Sequence, residues 1–198
     1  MKIDHSLPYE YQTEENRLKI LGFWIFLGAE IMLFATLFAS YFTLVDRTGN
    51  GPTGAEIFEI TPVLIETLVL LTSSFTIGLG IHAMRMNHKK AMLAFFGVTL
   101  ALGLVFLGLE IFEFVHYVHV GADLQTSAFT AILLTTLGTH GAHVTFGLFW
   151  GIAIFMQVKK RGLTPETGNK AFIFSLYWHF LDVVWIFIFS FIYLKGMM

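Results

Sequence analysis

The sequence predicts an all-α integral membrane protein, a bundle of five transmembrane helices with a cytoplasmic N-terminus and an external C-terminus. Three observations lead to this prediction. Hydrophobic residues make up 56% of the chain and charged residues only 13%, a composition typical of proteins embedded in lipid. Five apolar segments are each long enough to cross a bilayer, which takes about 20 residues. Lysine and arginine are concentrated in alternate links between these segments.

The first 17 residues are polar and lack the charged-then-apolar pattern of a signal peptide, so residues 1–17 are interpreted as a cytoplasmic tail. The remainder, residues 18–198, is predicted to be a single five-helix domain. The four prolines fall in loops or at the edges of the spans, so no span needs a proline kink. The spans cover approximately residues 18–45, 62–85, 91–118, 128–158 and 171–194.

The basic residues set the predicted orientation. Only Arg47 and Lys195 lie on the side assigned to the exterior. Cytoplasmic loops of membrane proteins carry the excess of Lys and Arg, so the side with more of them is assigned to the cytoplasm. Ten of the twelve lie there, in the N-terminal segment and in the links after the second and fourth spans: Lys2, Arg17, Lys19, Arg85, Lys89, Lys90, Lys159, Lys160, Arg161 and Lys170.

Acidic residues within the spans are the first candidates for function. Glu30 lies deep in the first span. Glu110 and Glu113 share a face of the third span, and Asp182 lies near the middle of the fifth. No Lys or Arg inside a span is available to neutralise them. Burial favours the neutral form of an acid, and an acid whose charge depends on local hydration is suited to proton exchange. These four acids, with His179, are predicted to take part in proton or lipid interactions.

A purely structural role is the alternative for each of these residues. Asp182 follows His179 by three residues on the same helical face, so the two side chains are within reach of each other. Glu30 has a similar alternative, a hydrogen bond to a neighbouring helix. The residues alone leave both interpretations open.

The segment GTHGAHVTFG (138–147) raises the question of a metal or haem site. His140 and His143 are three residues apart on one helical face, as metal ligands can be. A helix that serves two haems across a membrane needs histidines much further apart, and the absence of cysteine removes thiolate copper and iron–sulfur sites. We therefore predict no metal and no catalytic residue in this chain. The two histidines are assigned to helix packing, together with Gly138 and Gly141.

Segments along nearly the whole chain resemble subunit III of the haem-copper respiratory oxidases. RLKILGFWIFLGAEIMLF (17–34) is similar to the family's helix with a buried glutamate, which corresponds to Glu30. GLEIFEFVHY (108–117) is similar to its acidic helix, with Glu110 and Glu113. Five spans, rather than the seven of the mitochondrial form, are typical of bacterial members. Three further helices of the family are similar to segments of this chain, namely ETLVLLTSS (66–74), GTHGAHVTFG and SLYWHFLDVVWIF (175–187).

This resemblance implies a function. The complex would oxidise quinol, reduce O₂ to water and drive protons outward in the aerobic electron transport chain of a bacterial cell membrane. This chain would be a subunit of that enzyme without a redox centre, and the haems and copper would belong to subunit I. Its implied role is to stabilise subunit I, its main contact beside subunits II and IV, to bind phospholipid and to support proton uptake. The sequence contains no basic run that would indicate nucleic acid.

Two alternatives stay open at this point. EYQTEENRLKILGFWIF (10–26) and KKRGLTPET (159–167) look most like Gram-positive menaquinol oxidases, but subunit III of bacterial cytochrome c oxidases is very similar. The alternative of a different class is a small proton-coupled transporter. A transporter is expected to show an internal repeat or broken helices, and neither is evident in the sequence.

Overall fold

The computed structural model describes residues 6–49 and 51–197. Five of its helices are long and apolar enough to cross a membrane. The described residues contain no β-strand, so the predicted all-α fold class is confirmed. In chain order the helices are α1 (Glu14–Leu44), the one-turn α2 (Gly54–Ile57), α3 (Ile60–Arg85), α4 (Lys89–His119), α5 (Ala128–Arg161) and α6 (Pro165–Ile188), which continues as a π-helical segment, Phe189–Leu194.

Local sequence signals set the helix boundaries. Thr13, Ser127 and Thr164 cap α1, α5 and α6, each accepting a hydrogen bond from the backbone N–H three residues later. Pro165 occupies the first turn of α6, where no helical hydrogen bond is lost, so α6 begins before the predicted start at 171. Gly162 ends α5 with φ at 80°, a backbone conformation that glycine adopts without strain.

Helix α6 lies at the centre of the bundle and α1 at its edge. Helix α6 packs against α1, α3 and α5, and its Trp178 and Trp185 are fully buried. Helices α3 and α4 form a hairpin and pack closely along their length. Helix α1, in contrast, leaves a large apolar face exposed, which is suited to contact with lipid or another subunit. That face includes Leu21, Trp24, Ile25, Ile31 and Met32.

The residues just before α1 pack onto the bundle. Glu10 is fully buried, and the Arg85 guanidinium donates to its carboxyl at 2.7 and 2.8 Å. The Asn169 amide donates to the backbone carbonyls of Glu10 and Asn16 at 3.1 and 3.2 Å. Of the predicted tail, residues 1–5 lie outside the described part, and the last four residues belong to α1. The segment between these two parts, residues 6–13, is therefore held against the last residue of α3 and the first turns of α6.

Candidate functional site

Glu30 pairs with a histidine of another helix. It is the seventeenth of the 31 residues of α1, and its Oε2 lies 3.1 Å from Nε2 of His143 on α5. The exposed fractions of the two side chains are only 14% and 21%. Nδ1 of His143 lies 2.7 Å from the carbonyl oxygen of Thr139. A carbonyl oxygen can only accept, so Nδ1 carries a hydrogen.

This arrangement places one proton between Glu30 and His143. With Nδ1 protonated, either a neutral Glu30 donates its hydroxyl to Nε2, or a Glu30 carboxylate accepts from the imidazolium. Both forms have zero net charge and differ only in the position of that proton. The Phe34 ring packs against the imidazole with ring centroids 5.3 Å apart and covers one side of the pair. The pair can therefore hold a proton without adding net charge to the apolar interior.

His140 and Glu110 form a second contact between an acid and a histidine, at the interface of α4 and α5. His140 is fully buried, and its Nε2 lies 3.2 Å from the carbonyl oxygen of Leu181. Its Nδ1 is 3.6 Å from Oε1 of Glu110, beyond the range of a direct hydrogen bond. A Cβ on Gly141 would lie 3.1 Å from the Glu110 carboxyl, so glycine there lets the acid approach α5.

The two histidines of the GTHGAHVTFG segment therefore face different partners. His143 contacts α1, whereas His140 contacts α4 and α6. Gly138 is less constrained than Gly141, because a Cβ on it would meet only Phe114, at an ordinary 3.9 Å. Within residues 6–49 and 51–197, no group of three or more His, Cys, Asp or Glu side chains is arranged to hold a metal ion.

Asp182 and His179 do not form the contact that their spacing allows. Nδ1 of His179 lies 2.6 Å from Oγ of Ser74 on α3, and Ser74 also lies beside Asp182. Oδ1 of Asp182 is buried and has no hydrogen-bond partner in the described part of the chain. The spacing does place both side chains on one face of α6. That face packs against α3, so His179 contacts Ser74 of α3 instead of Asp182.

Glu113 has two hydroxyl partners. The Tyr117 hydroxyl donates to its Oε1 at 2.5 Å, and the Tyr193 hydroxyl, from the π-helical segment, donates to its Oε2 at 2.8 Å. Each oxygen of the Glu113 carboxyl therefore has a hydrogen-bond donor, as an ionised carboxylate requires. The sequence alone places Tyr117 on the same face as Glu113, one helical turn away, but gives no sign of Tyr193.

Glu66 is a buried acid that the sequence analysis leaves out of the candidate set. It is 1% exposed, and neither of its carboxyl oxygens has a hydrogen-bond partner among the described residues. It lies within electrostatic reach of Glu113 and Glu110. Glu66 lies near the start of α3, so in the sequence it reads as a residue at the edge of the second span. Only the packing of α3 against α4 brings it to the other acids.

Comparison with known proteins adds an independent finding. The family model described as cytochrome c oxidase subunit III matches residues 11–197. Quinol oxidase subunit 3 of Bacillus spizizenii is 59% identical over 97% of this chain and 94% of that protein. Probable quinol oxidase subunit 3 of Staphylococcus saprophyticus is 49% identical over 95% and 94%. Cytochrome c oxidase subunit 3 of Bacillus sp. PS3 is 48% identical over 97% and 93%.

The five apolar helices and these relatives define a class of protein, the membrane-embedded third subunits of haem-copper oxidases. The chain belongs to the cytochrome c oxidase subunit III family. It is a multi-pass bacterial membrane protein and part of an oxidase complex. The resemblance identified from the sequence is confirmed, and the oxidase interpretation replaces the transporter alternative.

Proposed function

We propose that this chain is the non-redox third subunit of a quinol oxidase, in a complex that oxidises quinol, reduces O₂ to water and moves protons out of the cytoplasm. One observation carries the choice of electron donor. Over 192 residues, identity is 59% to a quinol oxidase subunit and 48% to a cytochrome c oxidase subunit, both from Bacillus. A chain that assembles with the other subunits of a quinol oxidase is expected to be more similar to the third subunits of quinol oxidases than to those of cytochrome c oxidases.

Oxygen uptake by the purified complex distinguishes the two donors. A complex isolated through an affinity tag on this chain is supplied with a menaquinol analogue or with reduced cytochrome c. We expect rapid uptake with the quinol and little with cytochrome c. The reverse preference would assign the chain to a cytochrome c oxidase, the second candidate, which the 48% identical relative favours. Isolation of the chain alone, without haem-bearing partners, would contradict both.

The partners in this proposal are subunits I, II and IV, and subunit I holds the haems and copper. The exposed apolar face of α1 offers a surface for either subunit I or lipid. Because basic residues cluster at the end of the bundle where α3 ends and α4 begins, that end is assigned to the cytoplasm. The carboxyl and imidazole groups inside the bundle handle protons or hold helices together, and none of them carries electrons.

A groove between α1 and α6 supports phospholipid binding. Its volume is about 500 Å³, and its walls are almost entirely apolar, with Trp24, Phe34 and Phe187 among them. Phe34 also contacts the ring of His143, so it separates the groove from the Glu30–His143 pair. An acyl chain in the groove would keep water from that side of the pair. Lipid binding and proton handling are thereby coupled through one side chain.

A further inference from the structure

A second cavity, of about 370 Å³, lies between α3 and α4 at the end of the bundle where α3 begins and α4 ends. We call it the outer cavity. It shares no lining residue with the α1–α6 groove. Its walls include Glu59, Ile65, Glu66, Phe112, Glu113 and His116.

The outer cavity joins an apolar mouth to a buried acid. Ile65 and Phe112 line it and are 49% and 76% exposed, so it opens on the apolar outer surface of the bundle. Glu66 also lines it, yet is 1% exposed, and both of its oxygens lack a hydrogen-bond partner within the described residues. Glu66 follows the first residue of α3 by six positions, or about 9 Å along the helix axis. That depth is suited to an amphiphile with its polar head near the membrane interface.

The polar groups that line the outer cavity are mainly carboxyl oxygens, those of Glu59, Glu66 and Glu113. Glu113 already accepts from two tyrosine hydroxyls, so its ionised form is satisfied. Among the described residues that line the cavity there is no Lys or Arg, and His116 is the only histidine. The described residues also offer no set of three ligands for a metal ion. A complementary ligand is therefore an organic cation that donates hydrogen bonds and carries an apolar body.

We propose that the outer cavity binds an organic ammonium group on an apolar chain, with its N–H groups donating to Glu66 and its chain lying along Ile65 and Phe112. Such a group can come from the headgroup of phosphatidylethanolamine or from a free alkylamine. The proposal goes beyond the proposed function, whose lipid groove lies between α1 and α6 and contacts acyl chains only. The electron donor does not enter the test below, so the two proposals can fail separately.

Native mass spectrometry of the delipidated complex tests the proposal with four amphiphiles. Phosphatidylethanolamine and dodecylammonium present ammonium N–H groups, phosphatidylcholine presents a cation without them, and phosphatidylglycerol presents no cation. We expect phosphatidylethanolamine to add one equivalent whose affinity falls about tenfold in Glu66→Gln, as for the loss of a charge-assisted hydrogen bond. If dodecylammonium alone shows this dependence, the ammonium site stands and its source is a free alkylamine.

Two further variants control the measurement. Asp123→Asn removes an exposed acid at the same end of the bundle that does not line the cavity, and binding is expected to be unchanged. Ile65→Trp fills the mouth without altering Glu66, so it keeps the test decisive if Glu66→Gln does not assemble. It should remove the added equivalent. Equal binding of the three phospholipids with no effect of dodecylammonium, or binding that neither Glu66→Gln nor Ile65→Trp weakens, would overturn the proposal.

Discussion

Glu30 of α1 and His143 of α5 lie 3.1 Å apart in the interior of the bundle, and the backbone carbonyl of Thr139 fixes the hydrogen on the far side of the imidazole. Either group of the pair can therefore carry the proton that lies between them. Helix α1 is the least buried of the five long helices, so this contact ties the edge of the bundle to its interior at mid-height.

We predict that Glu30→Gln preserves assembly and weakens sustained turnover. The glutamine amide can donate to Nε2 of His143 in place of the acid, so the contact between α1 and α5 is kept. The exchangeable proton of the pair is lost, and proton supply or the lifetime of the active enzyme should fall. Steady-state turnover, the inactivation lifetime and the proton-to-electron ratio of the purified complex measure this. A hydrophobic carbodiimide should label Glu30 in the parent enzyme, since it reacts with protonated acids in apolar surroundings.

Glu15→Gln is the matched control for this prediction. Glu15 lies on the same helix, is exposed and forms a surface ion pair with Lys19, so the same change of group should have little effect. Glu30→Ala and Glu30→Lys should be more damaging than Glu30→Gln, because one leaves a gap and the other buries a cation. If all three measurements on Glu30→Gln match the parent complex, Glu30 is a structural residue and its proposed role in proton supply is wrong.

Replacing His140 should disturb assembly without removing a haem signal. Its ring is fully buried, donates to the carbonyl of Leu181 and packs 5.3 Å from the ring of Trp185. His140→Leu would remove this hydrogen bond, a loss of roughly 0.5–1.5 kcal/mol, because the Leu181 carbonyl lies inside α6 and keeps its helical partner. The yield of complex should therefore fall, while the haem spectrum per assembled complex stays unchanged. Selective loss of one haem signal in fully assembled His140→Leu complex would show that His140 is a ligand. His119→Leu, at an exposed position, is the control.

The sequence predicts the five helices because each apolar span is long and bounded by polar residues. It does not predict the full length of α6, since Pro165 and the polar turn after it belong to the helix but not to the apolar pattern. It also identifies the acids as unusual without giving their partners. His143 is 113 residues from Glu30, and Tyr193 is 80 from Glu113, so only the packing of helices brings them together.

The close helix contacts are likewise beyond the reach of the sequence. Gly138 and Gly141 stand out because they flank a histidine, yet a Cβ on Gly138 would find ordinary space. Gly103 and Gly151 are far tighter, because a Cβ on either would lie 2.7 Å from a side chain of another helix. Nothing in the local sequence distinguishes these glycines, because their importance depends on which large side chain faces them.

Gly103→Ala should destabilise the bundle by roughly 1–3 kcal/mol, the usual cost of overpacking. The added methyl would lie 2.7 and 2.8 Å from the ring of Trp178, which is buried and donates a hydrogen bond to Ser73, so it has little freedom to move. Gly108→Ala on the same helix is the control, since a Cβ there meets nothing within 4 Å. Thermal unfolding of the complex, followed by loss of this chain from it, should separate the two variants. Equal stability would mean that Trp178 can yield to the added methyl group.

Single cysteines at opposite ends of the bundle should be labelled from opposite faces of the membrane. The chain has no cysteine, so His88→Cys and Gln125→Cys each introduce one reactive thiol. Both positions are exposed, and they lie in the links between α3 and α4 and between α4 and α5. Because basic residues cluster around the first link and the second has none, an impermeant maleimide should label Gln125→Cys in intact cells. His88→Cys should react only after the cells are opened. Labelling of both in intact cells would contradict the proposed topology, and labelling of His88→Cys alone would reverse the orientation and place the outer cavity on the cytoplasmic side.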